Sequence, residues 1–303
     1  MPPALEFDLD FSPPTDSVVT LSPLVRRLVA GNPSPFTFTG TCSYVVGRGT
    51  VALIDPGPAL PGHVDALLAA VVGETVSHIV VTHTHMDHSP GARLLKEATG
   101  APIVGCGPHQ ASRPLVEGES NTMEGSGDHD HVPDLRMREG DAISGPGWTL
   151  EAVETPGHTA NHLAFALAEE ETLFSADHVM AWSTTIVGPP DGSMTDFMAS
   201  LEKLRGRPER IYWPGHGGPV RNPQRFLRAL IGHRRAREAS IVARLAAGDR
   251  TIAAIVPAIY PGLRPELLRA AGLSTFAHLE DLVRRGLAAT DGAPQLDGEY
   301  RPA

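Results

Sequence analysis

The segment "THTHMDHSPG", residues 82–91, places three histidines and one aspartate within six positions. A short apolar run precedes it and predicts a buried strand. Alternate residues of an extended chain share a face, so His83 and His85 can point toward one metal ion. Asp87 and His88 follow where the chain turns toward a helix, and they can point toward a second ion nearby. Imidazole nitrogen and carboxylate oxygen are ligands for zinc, iron and manganese, so the segment predicts part of a metal site.

The residues that follow have the pattern of a helix start. We expect Ser89 to be the N-cap, Pro90 to occupy the first helical position and Gly100 to end the helix. Because the N-terminus of a helix favours negative charge nearby, Asp87 is expected to stay ionised.

Three more ligand-type side chains occur downstream, each just beyond a predicted strand. His158 lies in the loop "ETPGHTANH", Asp177 ends the apolar run "TLFSAD", and His216 lies in the loop "YWPGHGG". If these strand ends meet at one edge of a sheet, the three side chains join the histidines of residues 83–88 in one cleft. Asn161 and His162 are expected to support His158 from behind.

Together these motifs resemble the metallo-β-lactamase superfamily over residues 35–222. The family motif H-x-H-x-D-H corresponds to residues 83–88, and the later ligands follow in the family's order. The resemblance implies an α+β fold, an αββα sandwich with two Zn²⁺ ions at one edge, and iron or manganese as alternative metals. It assigns His83, His85 and His158 to the first ion, Asp87, His88 and His216 to the second, and Asp177 to both as a bridge.

The resemblance also implies hydrolysis by a metal-bridging hydroxide, with Asp87 as the catalytic residue that orients the water. A carboxylate at Asp177 is the pattern of the glyoxalase II-like and nuclease-like members, and true zinc β-lactamases lack it. We therefore expect a binuclear zinc hydrolase of a small ester, thioester or related acyl substrate. That branch usually has Asn at Cys42 and Gly at Ala176, and neither departure removes a ligand.

The character of the chain changes after Asn222. We divide it into a catalytic domain (1–222), a connecting helix (223–247) and a C-terminal domain (248–303) with three short helices and a β-hairpin. Residues 223–303 carry 12 Lys and Arg against 8 Asp and Glu, a net charge of +4, whereas the remainder carries −14. This C-terminal domain is similar to the small winged-helix-like domain of the branch that contains the mitochondrial β-lactamase-like endoribonuclease.

In two segments of the catalytic domain, no group of ligand-type residues follows a predicted strand. Residues 1–34 are expected to be irregular, apart from a short helix in Pro23–Ala30. Residues 108–140 are polar and rich in glycine, and we expect a surface loop in which the cluster "DHDH", residues 128–131, faces solvent.

Three side chains outside the motifs are candidates for substrate binding. Trp182 belongs to a loop expected to form a wall of the pocket, while His109 and Tyr44 could reach the cleft or serve the surface and the core. His178 follows Asp177 directly and is expected to point away from the metals, because adjacent residues of a strand face opposite ways.

Composition narrows the classes of function. The net charge of −10 disfavours a surface that grips nucleic acid, and two cysteines are too few for a disulfide framework. The start of the chain has no signal-peptide pattern and no apolar run could span a bilayer, so we expect a cytoplasmic enzyme without a membrane partner. A small molecule is the expected partner, and a homodimer is left open.

Three alternatives to the hydrolase of small acyl compounds stay open. A metal-dependent endoribonuclease would bind single-stranded RNA through the positively charged C-terminal domain, in a salt-dependent way. A persulfide-dioxygenase-like enzyme would hold one iron and consume oxygen. A binding module that retains only the fold would bind no metal.

Overall fold

Two facing sheets and a smaller third sheet hold the strands of residues 4–303, which a computed structural model describes. The strands of the first sheet are β1 (Val19–Thr20), β2 (Val25–Val29), β3 (Cys42–Arg48), β4 (Thr50–Ile54), β5 (Thr75–Val81), β6 (Ile103–Gly105) and β7 (Leu135–Arg136). Those of the second are β8 (Ala142–Gly145), β9 (Trp148–Glu154), β10 (Leu163–Leu167), β11 (Thr172–Ala176) and β12 (Ile211–Pro214).

The helices are α1 (Pro61–Ala70), α2 (Gly91–Thr99), α3 (Met194–Arg205), α4 (Pro223–Ala246), α5 (Ile252–Ile259) and α6 (Leu268–Arg284). Leu67 of α1 and Leu95 of α2 belong to the core that the two sheets share. Phe197 of α3 and Leu230 of α4 pack in a second core with residues of β10, β11 and β12. The layers therefore follow the predicted αββα order. No helix of the described chain combines the length and the apolar character needed to cross a membrane.

Strand direction gathers the loops that carry the ligand-type residues. Strands β4, β5, β6 and β7 are parallel in the first sheet, and β11 and β12 are parallel in the second. Parallel neighbours end at the same edge of a sheet. The loop that begins at Asp55 therefore lies beside the one that begins at Thr82, and the ends of β11 and β12 meet through a hydrogen bond from the Gly215 amide to the Ala176 carbonyl.

The prediction of a helix in Pro23–Ala30 is wrong, and strands β1 and β2 interrupt the irregular segment predicted over residues 1–34, of which the described residues 4–18 hold no helix or strand, as expected. Strand β2 occupies the range of the predicted helix and pairs antiparallel with β3 from Val25–Val46 to Val29–Cys42. Val25 and Val29 are four residues apart, a spacing that mimics a helix face. The long-range partner β3 decides the outcome, because pairing with it buries both valines and satisfies the backbone of the segment.

The start of α2 also differs from expectation. The helix begins at Gly91, and the Ser89 hydroxyl donates to Asp128 instead of capping the helix. This bond, together with the Arg93 guanidinium, holds the Asp128 carboxylate in a buried position, so the prediction that residues 128–131 face solvent is wrong for Asp128 and His131. The predicted end at Gly100 is confirmed, since this residue is left-handed (φ 73°).

Helix α4 occupies the range predicted for a connecting helix, and Asn222 caps it by accepting from the Arg225 amide. The C-terminal region has its own apolar core, formed with Ile241 and Leu245 of α4. It contains two α-helices instead of the predicted three, because α6 continues through the expected break at Gly272. The predicted hairpin is present as β13 (Ala288–Thr290) and β14 (Tyr300–Pro302).

Candidate metal centre

All seven predicted ligand side chains converge at the edge where the two sheets meet the loops. His83, His85 and His158 bring donor atoms within 4.8 Å of one another, and we call them the first group. Asp87, His88 and His216 do the same and form the second group. The Asp177 carboxylate lies between the groups, 3.6 Å from His158 Nε2 and 3.4 Å from both His88 Nε2 and His216 Nε2.

The first group consists of three imidazoles, and neighbouring side-chain and backbone groups fix the orientation of their rings. His158 Nδ1 donates to the Ile186 carbonyl at 2.7 Å, and its Nε2 lies 3.0 Å from His85 Nδ1. His83 Nδ1 lies 3.0 Å from the Thr82 hydroxyl. Burial lowers the pKa of each of the three imidazoles, that of His85 to about 3. All three are therefore neutral at pH 7 and offer lone pairs.

The second group adds carboxylate charge. Asp87 Oδ2 lies 3.2 Å from His216 Nε2 and 3.6 Å from His88 Nε2. Burial opposes protonation of His216, but the carboxylates of Asp177 and Asp87 outweigh it and raise the pKa of His216 to about 9. Burial likewise opposes protonation of His88, and the same two carboxylates raise its pKa well above the ordinary value. A cation at this group therefore competes with protons for the same nitrogens.

Unpaired buried atoms test whether a metal fits these residues. His83 Nε2, His85 Nε2 and Asp177 Oδ1 are buried without any hydrogen-bond partner among residues 4–303. Buried polar atoms are nearly always paired, because leaving one unpaired is costly. Asp177 Oδ1 lies 3.4 Å from His88 Nε2, inside the cluster, and imidazole nitrogen with carboxylate oxygen is a donor set for zinc-like ions. The residues therefore fit divalent cations.

Asp55 is part of the site although the ligand motif does not include it. Its Oδ2 accepts from His88 Nδ1 at 2.9 Å and from the Thr82 hydroxyl at 2.7 Å, and its Oδ1 accepts from the Thr82 amide at 2.8 Å. Since the Thr82 hydroxyl donates to Asp55, it accepts from His83 Nδ1. Asp55 thus directs the Nε2 lone pairs of both His88 and His83 into the cluster. Its position directly after the apolar strand β4 was the available signal.

The three proposed substrate residues have different surroundings. Trp182 lines the cavity next to the cluster and stacks on Phe38, with ring centroids 4.9 Å apart. The structure places the other two away from the cavity. Tyr44 is 2% exposed, and its hydroxyl donates to the Pro214 carbonyl behind the His216 loop. His109 Nδ1 bonds to the Thr84 hydroxyl, so its ring supports the ligand segment from outside.

Asn161 and His162 support a different part of the site than expected. The Asn161 amide donates to Thr84 Oγ1 at 2.9 Å, between the ligands His83 and His85. His162 bonds through Nδ1 to Thr155, and its ring centroid lies 5.0 Å from that of His83. Neither side chain hydrogen-bonds to His158, whose Nδ1 bonds to the Ile186 carbonyl, although the His162 ring also lies edge-on to the His158 ring at 6.3 Å between centroids. His178 packs on Phe197, in agreement with the expectation that it points away from the metals.

The cluster opens into a cavity of about 860 Å³, within the range of small-molecule sites. The catalytic domain contributes apolar walls that include Phe36, Met86, Met123 and Trp182. The opposite wall comes from the C-terminal region, with residues 263–274 and the part of α4 around Arg234. No local pattern indicated that this region would line the cavity, because that depends on how the two cores pack together.

Comparison with known proteins extends these findings. The model for the "Metallo-beta-lactamase superfamily" matches residues 36–216, and the model for the "Beta-lactamase associated winged helix domain" matches residues 251–296. A metallo-beta-lactamase family protein from Thermus thermophilus, solved by crystallography, is 25% identical and superposes with a TM-score of 0.73, covering 94% of this chain and 100% of the other.

Two curated relatives share about 30% of their residues with this chain over the aligned part. An atrochrysone carboxyl ACP thioesterase of Aspergillus fumigatus is 30% identical over 76% of this chain and 67% of its own length. A beta-lactamase-like protein 2 homolog of Caenorhabditis elegans is 32% identical over 75% of this chain and 72% of its own. The aligned part thus spans about two thirds to three quarters of each relative.

Proposed function

This chain belongs to the metallo-β-lactamase superfamily and carries the winged-helix domain associated with it, and we propose that it hydrolyses small thioesters or related acyl esters with two bound metal ions. One observation carries the proposal. The cluster of seven donors lies at one end of a cavity whose other walls are largely apolar and partly built by the C-terminal region. Relatives named as thioesterases support a thioester as the bond that is cleaved.

We assign one divalent metal to the first group, one to the second, and Asp177 to both. Zinc is the proposed metal, because the donor set of imidazole and carboxylate suits it. Two such ions supply Lewis acidity, which activates water at neutral pH and polarises a carbonyl.

The protein's own residues supply orientation and exclusion of water. The Asp87 side chain is 28% exposed toward the cavity, and in spite of burial the positive charge of His88 keeps its pKa below the ordinary value. As an ionised carboxylate it can accept a hydrogen bond from the attacking water and hold that water in line. Apolar walls such as Trp182 and Met123 can hold the acyl chain and exclude other water from the carbonyl.

Charge and shape favour an acyl substrate over RNA. A strand of RNA needs an open, positively charged groove. This cavity is largely apolar, its arginines lie only on the side that residues 223–303 build, and the rest of the chain has a net charge of −14. RNA cleavage, a cytoplasmic location and a homodimer all stay predictions.

Metal analysis combined with a substrate panel tests the proposal. We expect about two zinc ions per chain and hydrolysis of thioesters ahead of esters, lactones, phosphodiesters and RNA. Asp87→Ala is the control, since it removes a proposed ligand from the exposed side of the cluster. One iron per chain with oxygen consumption would contradict hydrolysis, and a metal-free protein would indicate a binding module. RNA cleavage that is lost in Asp87→Ala, without thioester hydrolysis, would favour the endoribonuclease.

A further inference from the structure

Arg234 carries a buried positive charge in the wall of the cavity. The residue is 3% exposed and belongs to α4, on the side of the cavity that the C-terminal region builds. Its Nη2 donates to the Thr185 carbonyl, and its guanidinium carbon lies 5.0 Å from the centroid of the Phe197 ring. Its Nε is buried and has no hydrogen-bond partner in the described part of the chain.

No carboxylate of residues 4–303 neutralises this charge, since none lies within 4.0 Å of the Arg234 guanidinium. Two other arginines of the cavity, Arg264 and Arg269, are exposed, so water solvates their charges. Arg264 also pairs with Glu266 at 3.3 Å, whereas Arg269, like Arg234, donates to a backbone carbonyl, that of Thr122 at 2.6 Å. Burial lowers the pKa of Arg234 to about 10, so it stays protonated at pH 7. A buried charge without a counter-charge is unfavourable unless a ligand supplies one.

We propose that Arg234 binds an anionic group of the substrate, a carboxylate or a phosphate, while the acyl carbonyl lies at the metal cluster. This inference rests on the proposed function. The planar guanidinium presents paired N–H donors that match the oxygens of either group. Arg234 and the cluster line the same cavity, so one molecule can contact both. The anion would belong either to the acyl chain or to the thiol part of a thioester.

A purely structural role must be separated from this one, because Arg234 also holds the loop behind two ligands. The Thr185 hydroxyl donates to the Asp177 carbonyl at 2.6 Å, and the Ile186 carbonyl accepts from His158 Nδ1. Loss of Arg234 could therefore slow hydrolysis of every substrate. Binding of an anion predicts something different, a change in the preference between charged and neutral substrates.

Two matched substrate pairs measure that preference in the metal-loaded enzyme. The first pair is the glutaryl thioester of N-acetylcysteamine and its terminal amide, which has the same shape without the charge. The second is a butanoyl thioester of phosphopantetheine and of pantetheine. We expect the wild-type enzyme to favour the charged member of one pair by about 10- to 100-fold in kcat/KM, the size of a charge-assisted hydrogen bond. The pair that shows the preference identifies the source of the anion.

Arg234→Gln should reduce that ratio to about one, and Arg234→Lys should restore part of it, since lysine keeps the charge without the planar fork. Arg235→Gln is the control, because Arg235 is the next residue of α4 and its exposed side chain pairs with Glu202 at 3.0 Å. It removes the same charge from the helix and should leave the ratio unchanged. Equal loss on both members of each pair in Arg234→Gln would overturn the inference and assign Arg234 to the support of the loop.

The outcomes distinguish this inference from the proposed function. Thioester hydrolysis with ratios near one for both pairs in the wild-type enzyme would refute anion binding and leave the hydrolase. If no thioester is cleaved, the proposed function fails, and calorimetry decides the inference with two pairs of compounds, glutaramate against the neutral glutaramide and phosphopantetheine against pantetheine. Preference for the anionic member of either pair that disappears in Arg234→Gln would support the inference, and equal binding within both pairs would overturn it.

Discussion

The two ligand groups differ in charge although they share one carboxylate. In the first group, burial lowers the pKa of the three imidazoles and keeps them neutral, so a cation binds there without displacing a net positive charge. In the second group, carboxylates raise the pKa of both imidazoles, so a cation must release protons. The first group has three imidazoles and contacts the shared Asp177, whereas the second has a carboxylate of its own in Asp87, and this extra charge makes the two metal positions different.

Asp177→Ala should have the largest effect, because this carboxylate contacts both groups. We expect kcat/KM to fall on the order of 1,000-fold or more, because the ligands act as a unit and the loss of one disables the others. We also expect the metal content to fall below two ions per chain. Steady-state kinetics and elemental analysis measure the two effects. A variant that keeps two metals and activity within tenfold of wild type would show that Asp177 bridges nothing.

Asp87→Ala should separate the groups. It removes a carboxylate from the second group and leaves the first intact, so we expect about one metal per chain and a loss of kcat/KM of about 100- to 1,000-fold. His85→Ala is the matched variant, since it removes a ligand from the first group instead. Equal metal loss from both groups in Asp87→Ala would contradict the division into two positions.

Asp55→Asn should weaken both positions less strongly, because Asp55 orients ligands without joining the proposed set. The amide nitrogen of asparagine cannot accept from His88 Nδ1. In the wild type, the Asp55 carboxylate also accepts from the Thr82 hydroxyl, which in turn fixes the His83 ring. We expect metal affinity to fall about 10- to 100-fold, measured by titration against a chelator of known affinity. Thr82→Val is the control, and it should lower metal affinity mainly at the first group, because the Thr82 hydroxyl contacts His83. An unchanged affinity in Asp55→Asn would show that the imidazoles need no carboxylate to orient them.

Ala176→Gly should have the smallest effect, and it concerns stability. Ala176 precedes the bridging Asp177 and has φ 42°, a conformation that favours glycine. We expect the free energy of unfolding to rise by about 0.5–1 kcal/mol, measured by urea denaturation. Ala164→Gly in strand β10 is the control and should destabilise, since glycine weakens a strand interior. A loss of stability in Ala176→Gly would mean that this turn tolerates alanine without strain.

Ligand-type residues could be predicted from the sequence because the first ligand of each motif stands within four residues of the end of a short apolar strand. His158, Asp177 and His216 illustrate this, since local patterns identify the strands and the sheet then brings their ends together. The N-terminal strand β2 could not be predicted in the same way, because only its pairing with β3 distinguishes it from a helix. Asp128 was misjudged for a similar reason: its partners Ser89 and Arg93 lie far away in the sequence.

The residues that complete the site from outside the motif were the hardest to foresee. Asp55 had a local signal, an aspartate directly after a buried strand, but it carried no metal motif. Arg234 had none, because an arginine in a charged helix resembles many solvated residues. Its burial depends on the packing of α4 between two apolar cores, a contact that no local pattern describes.

Helix α4 also has a thermodynamic consequence. Its first half is fixed in the core of the second sheet through Leu227 and Leu230, and its second half in the C-terminal core through Ile241 and Leu245. A continuous helix cannot lose one half of its anchoring without weakening the other. We therefore expect the two cores to unfold together, so that a cation bound at the sheet edge would also stabilise the C-terminal core by mass action.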